Sequence, residues 1–397
     1  MGPLDGFRIV DLTTVFMGPY LTQCLADMGA DVVKIEPPTG DIVRQIGPSR
    51  NEGMGSLFLN LNRGKRSVAL DLKRPEGRAA LMRIVKNADA LVYNVRPQAM
   101  ARLGLTYDQV SEVNPKIVYA GVYGYGEEGP YAGRPAYDDL IQGVSGVSAL
   151  IARASDGTPR YAPVALADRV VSLFGLNNVI AGLLARERTG RGQKIDVPMF
   201  ETMASFVLGD HMGGLTFEPR MDRGGYQRLL TPHRKPFKTR DGHVCAVIYT
   251  DRNWKDFFAA LGSNTAAVDP RFASHTTRTR HIDEIYAEIA EVFLKKTTDE
   301  WVRLLMEADI PVMPMNDLED LLEDPHLVAV GLISVIEHPT EGAIRSLRYP
   351  SRWSDTQPVA GGPCPHLGQH TSEVLAEAGL SEKEVAELRS SHVAFGS

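Results

Sequence analysis

A regular alternation of short apolar runs with helix-patterned segments fills the first two hundred residues, and few folds accept such a pattern. The spacing predicts strands at 8–12, 31–36 (DVVKIE), 67–72 (SVALDL), 90–94 and 116–123, all rich in Val, Ile or Leu. Helical patterns fill the intervals. One follows Pro19 and ends at Gly29; another opens at Pro75 and sets Leu81, Ile84, Val85 and Ala88 at i, i+3, i+4 and i+7. Strands separated by helices favour a parallel sheet covered on both faces, so the expected class is α/β with a Rossmann-like large domain. A longer helix is expected from Asp168 to about Arg188, apolar on most sides as a helix against a sheet or a partner subunit is. Thr189-Gly-Arg-Gly-Gln193 ends it, and a strand is expected at 194–199.

Between Gly214 and Phe237 the character changes to glycine, proline and basic residues. A smaller unit then begins, with a strand at 243–249, a helix around Trp254, and a helix carrying Ile282, Ile285, Tyr286, Ile289 and Phe293 on one face. Thr297 and Glu300 form a capping box for the next helix, and a last helix is expected near 381–390. The simplest division is a large α/β domain over 1–215, a small α/β domain with a basic linker over 216–325, and a C-terminal return to the large domain over 326–397.

Composition narrows the function. With 43 basic against 49 acidic side chains, the chain lacks the basic footprint of a nucleic-acid binder. No run approaches ~20 uninterrupted apolar residues, so no membrane span is expected. Three scattered cysteines exclude a disulfide framework and a CxxC metal cluster, and with no secretory signal pattern they suit a cytoplasmic enzyme.

Most standard motifs are missing. HExxH, GxSxG and GxxxxGK[ST] do not occur. Gly124-Tyr-Gly-Glu-Glu-Gly129 matches GxGxxG, but prolines follow at 130 and 135, and two acids inside the loop would repel phosphate. It reads as a loop. Asp210 and His211 are neighbours that point in different directions on a helix, so they make no ligand pair, and no metal is expected.

A set of local signatures remains. They are Val10-Asp-Leu-Thr-Thr-Val-Phe-Met-Gly-Pro19, Leu25-Ala-Asp-Met-Gly-Ala-Asp-Val-Val-Lys-Ile-Glu-Pro37, Asn62-Arg-Gly-Lys-Arg-Ser-Val-Ala-Leu-Asp-Leu72, Asn94-Val-Arg-Pro97, Tyr137-Asp-Asp-Leu-Ile-Gln-Gly143, Ala167-Asp168, Thr189-Gly-Arg-Gly-Gln193 and Leu367-Gly-Gln-His-Thr371. In this order the chain resembles a family III CoA-transferase, the group of formyl-CoA and carnitine CoA-transferases related to α-methylacyl-CoA racemases. Only about 215–245 is weakly matched.

The resemblance implies that Asp168 attacks an acyl-CoA thioester and carries the acyl group as a mixed anhydride while CoA passes to a carboxylic acid. A carboxylate with an ordinary pKa of ~3.9 is ionised at neutral pH and needs no separate base. A helix N-terminus favours that ionised form. Position alone favours a helix cap. The resemblance also sets Val15, Phe16 and Met17 beside the thioester, and Asn94, Arg102, Tyr137, Asp138 and Met199 at CoA-contacting or pocket-lining positions. Where the family often has a basic residue after Lys-Ile-Glu, this chain has Pro37, so Arg44 or Lys65 are candidates for the missing phosphate contact. The family's glycine-rich shielding loop is absent as a run; Gly224-Gly225 is the nearest candidate. An interlocked homodimer, coenzyme A as substrate and no tightly bound cofactor are further implications.

The weakly matched stretch holds Arg220, Arg223, Arg228, His233, Arg234, Lys235 and Lys238 against one acid, Asp222. Arg228 and Arg234 are candidates for holding the free carboxylate of a short-chain, dicarboxylic acceptor; a solvated linker is the bland alternative. Rival functions are racemase-like acid/base chemistry, a thioesterase and a non-catalytic CoA-binding protein. The racemase would need a histidine where Tyr137 stands, and tyrosine is a poor base at neutral pH.

Overall fold

The computed structural model describes residues 2–359 and 361–396. The chain divides into two compact units, one made of Met1–Ser145, Pro163–Ala204 and Pro325–Ser397, the other of Gly146–Ala162 and Ser205–Asp324.

The first unit is built on six parallel strands: β1 (Arg8–Leu12), β2 (Asp31–Glu36), β3 (Arg66–Leu70), β4 (Ala90–Tyr93), β5 (Val118–Tyr123) and β6 (Gln193–Pro198). Their order is 3-2-1-4-5-6, and the short C-terminal strand Ala394–Phe395 adds antiparallel beside β3. The expected large parallel sheet is present. Strands β4 and β5 are buried along their whole length, which is why they read as continuous apolar runs. An antiparallel hairpin, Ile333–His338 with Gly342–Leu347, belongs to the same unit.

Helices close the crossovers. α1 (Met17–Asp27) begins two residues before Pro19, where proline is accepted in the first turn. α2 (Pro75–Val85) has proline at its start, as the sequence implied. α3 (Pro97–Arg102) and α4 (Asp138–Val144) follow β4 and β5. α5 (Leu166–Thr189) packs on α1, β5 and β6. By length and composition it is apolar enough to cross a bilayer, but its packing on the sheet is that of a core helix. Gly175 and Gly182 permit this close approach, since a Cβ there would lie 2.4 Å from Leu21 or 2.7 Å from Ile195. Gly190, in the left-handed conformation, ends the helix. After β6 the chain enters α6 (Met199–His211).

The second unit has a three-stranded antiparallel sheet (Phe237–Lys238, His243–Ala246, Val312–Pro314) covered by helices. Its core is aromatic: Phe237 stacks on Phe293 with centroids 4.3 Å apart, and the buried Trp301 donates its indole N–H to the Phe293 carbonyl at 2.7 Å. The capping box of Thr297 and Glu300 is formed.

Candidate active site

In an open parallel sheet, ligands collect at the carboxyl ends of the strands where the order reverses direction. Here that point lies between β1 and β4, since β2 flanks β1 on one side and β4 on the other. Two candidate segments meet there. The loop after β1 holds Thr14, Val15 and Phe16, and Asn94 follows β4. Asn94 accepts the Thr14 N–H at 2.9 Å and donates to the Thr14 carbonyl at 2.7 Å. The start of α1 has no side-chain cap, and the first N–H groups of a helix have no partner within it.

Asp168 stands in the first turn of α5 but is not its cap. The N-cap is Ala165, which makes no side-chain bond, while the Asp168 N–H donates to the Asp138 carboxylate at 2.9 Å. The second oxygen of Asp138 accepts from Gln142 at 2.6 Å. The Ser172 hydroxyl lies 2.6 Å from the carbonyls of both Met17 and Asp168, linking α5 to the start of α1. Arg169 lies over the rings of Phe16 (4.6 Å) and Tyr20 (3.9 Å). Among the described residues, the carboxylate of Asp168 itself accepts no hydrogen bond.

Its ionisation differs from the expectation. Burial, followed by the nearby Asp138 carboxylate, pushes the Asp168 pKa up to about 7; Arg169 opposes this and Asp139 adds to it. Burial and the neighbouring carboxylates outweigh the partial charge of the helix end, so the free protein holds Asp168 partly protonated near neutral pH.

Tyr137, at the head of α4, is 73% exposed, and Met199 is buried where β6 passes into α6. The 124–129 segment leads into no helix before Asp138, so it lacks the geometry of a dinucleotide loop; Gln98 bonds Glu127 there at 2.7 Å. Beside β1–β4 lies a largely apolar cavity of about 470 Å³, lined by Leu12, Ile35, Pro37, Leu72, Met100 and Lys73 among others. That volume is in the range of small-molecule pockets. Arg102 is exposed at the end of α3, between the lining residues Met100 and Leu103.

Arg44 and Lys65 do not serve as phosphate contacts. Arg44 is buried against Glu36 at 2.7 Å and the Pro365 carbonyl at 3.2 Å. Lys65 is buried against Asp11, Thr22, Asn62 and the Pro19 carbonyl at 2.8–3.0 Å. Both cations satisfy internal carboxylates. Lys73, which sequence reasoning passed over, lies at the cavity as an exposed cation.

The remaining candidates lie in the second unit. Gly224 and Gly225 both have positive φ, +68° and +100°. Asp222 fixes their loop by accepting the N–H groups of Gly214 (2.9 Å) and Gly224 (2.7 Å), and the Gly225 N–H donates to the His211 carbonyl at 2.7 Å. Arg228 stacks on Tyr249 at 4.8 Å. Arg228, Arg234 and Lys235 line a cavity of about 250 Å³ floored by Phe237, Ile248 and Trp254. Among the described residues, none of these three cations has a carboxylate partner. No group of three or more His, Cys, Asp or Glu among the described residues is placed to hold a metal ion.

A Rossmann-type sheet with a cavity at the carboxyl ends of its strands is a ligand-binding architecture, and it does not by itself fix the chemistry. Comparison with known proteins gives the family. The model of CoA-transferase family III matches residues 4–371, and the chain belongs to that family. A succinate–glutarate CoA-transferase of Agrobacterium fabrum is 32% identical over 96% of this chain and 97% of its own length. A formyl-CoA:oxalate CoA-transferase of Escherichia coli is 30% identical over 98% and 99%. Among solved structures, a CaiB/BaiF family protein of Brucella suis superposes with a TM-score of 0.78 at 31% identity, covering 95% of this chain and 99% of that one. The protein is a CoA-transferase, acting between acyl-CoA and acid.

Proposed function

We propose that this chain transfers CoA from a short-chain donor such as succinyl-CoA to a carboxylic, preferably dicarboxylic, acid through a mixed anhydride on Asp168. The carboxylate attacks the thioester carbonyl, the C–S bond breaks, and CoA leaves as thiolate. The acceptor carboxylate then displaces Asp168 from the anhydride, and thiolate attack on the acceptor carbonyl yields the new thioester and frees the donor acid. The observation that carries this reading is the Asp168 side chain: shielded, beside a second carboxylate, and bonded to nothing that would blunt it as a nucleophile. The N–H groups at the start of α1 suit the developing oxyanion. The apolar cavity at β1–β4 suits the nucleotide end of CoA, with Arg102 and Lys73 as its cations.

For the acceptor, the unpaired cations Arg228 and Arg234 suit a second carboxylate. The relatives that act on succinate, glutarate and mesaconate support this choice by analogy. Gly224-Gly225 is our candidate for shielding the anhydride from water. Exposed Leu173, Phe174 and Leu184 on α5 support a homodimer, and three unpaired cysteines suit a reducing, cytoplasmic setting.

The test is an exchange assay: purified protein, succinyl-CoA and a panel of unlabelled mono- and dicarboxylic acids, with new thioesters read by mass spectrometry. Formation of the glutaryl or mesaconyl thioester is expected. Deuterium entering the acyl α-carbon from solvent, with no new thioester, would replace this reading with the racemase one.

A further inference from the structure

The loop between β1 and α1 holds a conformation that its own sequence disfavours. Val15 lies at φ +69°, and of the three non-glycine residues with positive φ among the described residues it alone is β-branched. Such residues rarely enter this region. The Val15 side chain packs toward Val43, Met54 and Phe58, so its contribution to the crevice loop is made by its backbone.

The surrounding side chains over-determine that backbone. Asp41 receives the Val15 N–H on both carboxylate oxygens, at 3.1 and 3.3 Å. The same carboxylate bonds the Lys34 ammonium at 2.9 Å, and Lys34 also donates to the Thr13 carbonyl at 2.9 Å. Both side chains of this pair are fully buried. Asp41 is held in turn by Glu36, which accepts its N–H at 3.0 Å, and by the N–H of Val43 at 3.2 Å. Asn94 fixes both polar groups of Thr14. From Thr13 to Val15 the loop is therefore clamped by buried charge, immediately before the uncapped N–H groups of α1. Strain maintained this way at a ligand crevice is a mark of pre-organisation.

We propose that Asp41 is a positioning residue for acyl-CoA. Through the Val15 N–H it keeps the loop left-handed, and so keeps the start of α1 aimed at the thioester. The assignment rests on the reading of this loop as the acyl-CoA site. Asp41 touches no substrate; it acts through the backbone of residue 15.

The experiment measures CoA binding by calorimetry, and KM and kcat with succinyl-CoA, for the wild type, Asp41→Asn and the double variant Asp41→Asn/Val15→Gly. Asparagine preserves size but sets an amide NH2 against Lys34. Asp41→Asn is expected to bind CoA roughly ten- to a hundredfold more weakly, the range for one lost charge-assisted hydrogen bond. KM should rise by a similar factor and kcat change less. Glycine at position 15 enters positive φ freely and should recover most of the lost affinity. A lowered melting temperature with unchanged KM, or no recovery with glycine, overturns the proposal. Val15→Pro leaves the Lys34–Asp41 pair in place but fixes φ near about −65°, and serves if the asparagine variant does not fold. It should weaken CoA binding equally; unchanged binding overturns the proposal. Wild-type protein that fails to bind CoA refutes the site reading itself, whereas wild type and Asp41→Asn binding alike refutes only the role of Asp41.

Discussion

Asp11 and Asp168 are shielded carboxylates in the same unit, yet they ionise in opposite ways. Asp11 lies at the sheet end of β1, fully buried, and burial alone would raise its pKa. Lys65 and Lys34, with the hydroxyls of Thr13 and Thr22, more than offset that and hold it below the ordinary value. The Asp168 pKa is pushed up to about 7 by burial first and by the Asp138 carboxylate second, with no bonded cation to offset them. Burial is common to both; the partners decide. The paired carboxylate anchors the strand end beside the crevice loop, while the unpaired one is free for the nucleophilic role proposed above.

Removing each group should separate these roles. Asp168→Ala is expected to lower transfer by more than about 10⁴-fold, the usual scale for a lost nucleophile, with the fold intact by circular dichroism. Lys65→Met leaves Asp11 short of its nearest cation in the interior. It should cost about 3–5 kcal/mol of stability, read as a drop in the urea midpoint. An unchanged midpoint would mean that the buried pair contributes nothing.

The pH dependences should also run in opposite directions. The Asp168 penalty begins above the ordinary value of 3.8 and is complete above about 7. Asp168→Asn should therefore be more stable than the wild type at pH 8, by on the order of 1–3 kcal/mol after solvent screening. The difference should vanish below pH 4. The contribution of Asp11 is present above 3.8 and is lost as the pH falls below that value. Thermal melts of the Asp168→Asn and Lys65→Met variants across pH 2–8 would resolve the two.

Catalysis should follow the charged form of Asp168. The kcat/KM for succinyl-CoA should rise through pH 7 and level off above it. In Asp138→Asn, which can still accept the Asp168 N–H but carries no charge, the midpoint should move to lower pH. A midpoint that stays put would remove Asp138 as a cause of the shift. The smallest expected effect is at the other cavity, where Arg228→Ala or Arg234→Ala should raise KM for a dicarboxylic acceptor about tenfold. Equal effects on mono- and dicarboxylates would contradict a role in carboxylate recognition.

Much of this was legible in the chain. Strands 8–12 and 31–36 fall where their Val and Ile pattern puts them, and helix 75–85 begins at its proline. The capping box at Thr297 is local chemistry and reads directly. Asp168 and Asn94 were marked by motif, but their surroundings were not, because those depend on strand order. Only the 3-2-1-4 arrangement brings Asn94 onto Thr14. Arg44 and Lys65 illustrate the same limit: a basic residue in a sequence does not reveal whether it faces a ligand or a buried carboxylate, and both face carboxylates. The raised pKa of Asp168 was likewise hidden, since its second-largest cause, Asp138, lies thirty residues away.

The decisive measurement is chemical trapping of Asp168. The protein would be incubated with succinyl-CoA and quenched with hydroxylamine, and its peptides mapped by mass spectrometry. A hydroxamate on Asp168 that is missing from Asp168→Ala is the predicted result. An unmodified Asp168 in protein that still transfers CoA to an acceptor acid would contradict the covalent mechanism.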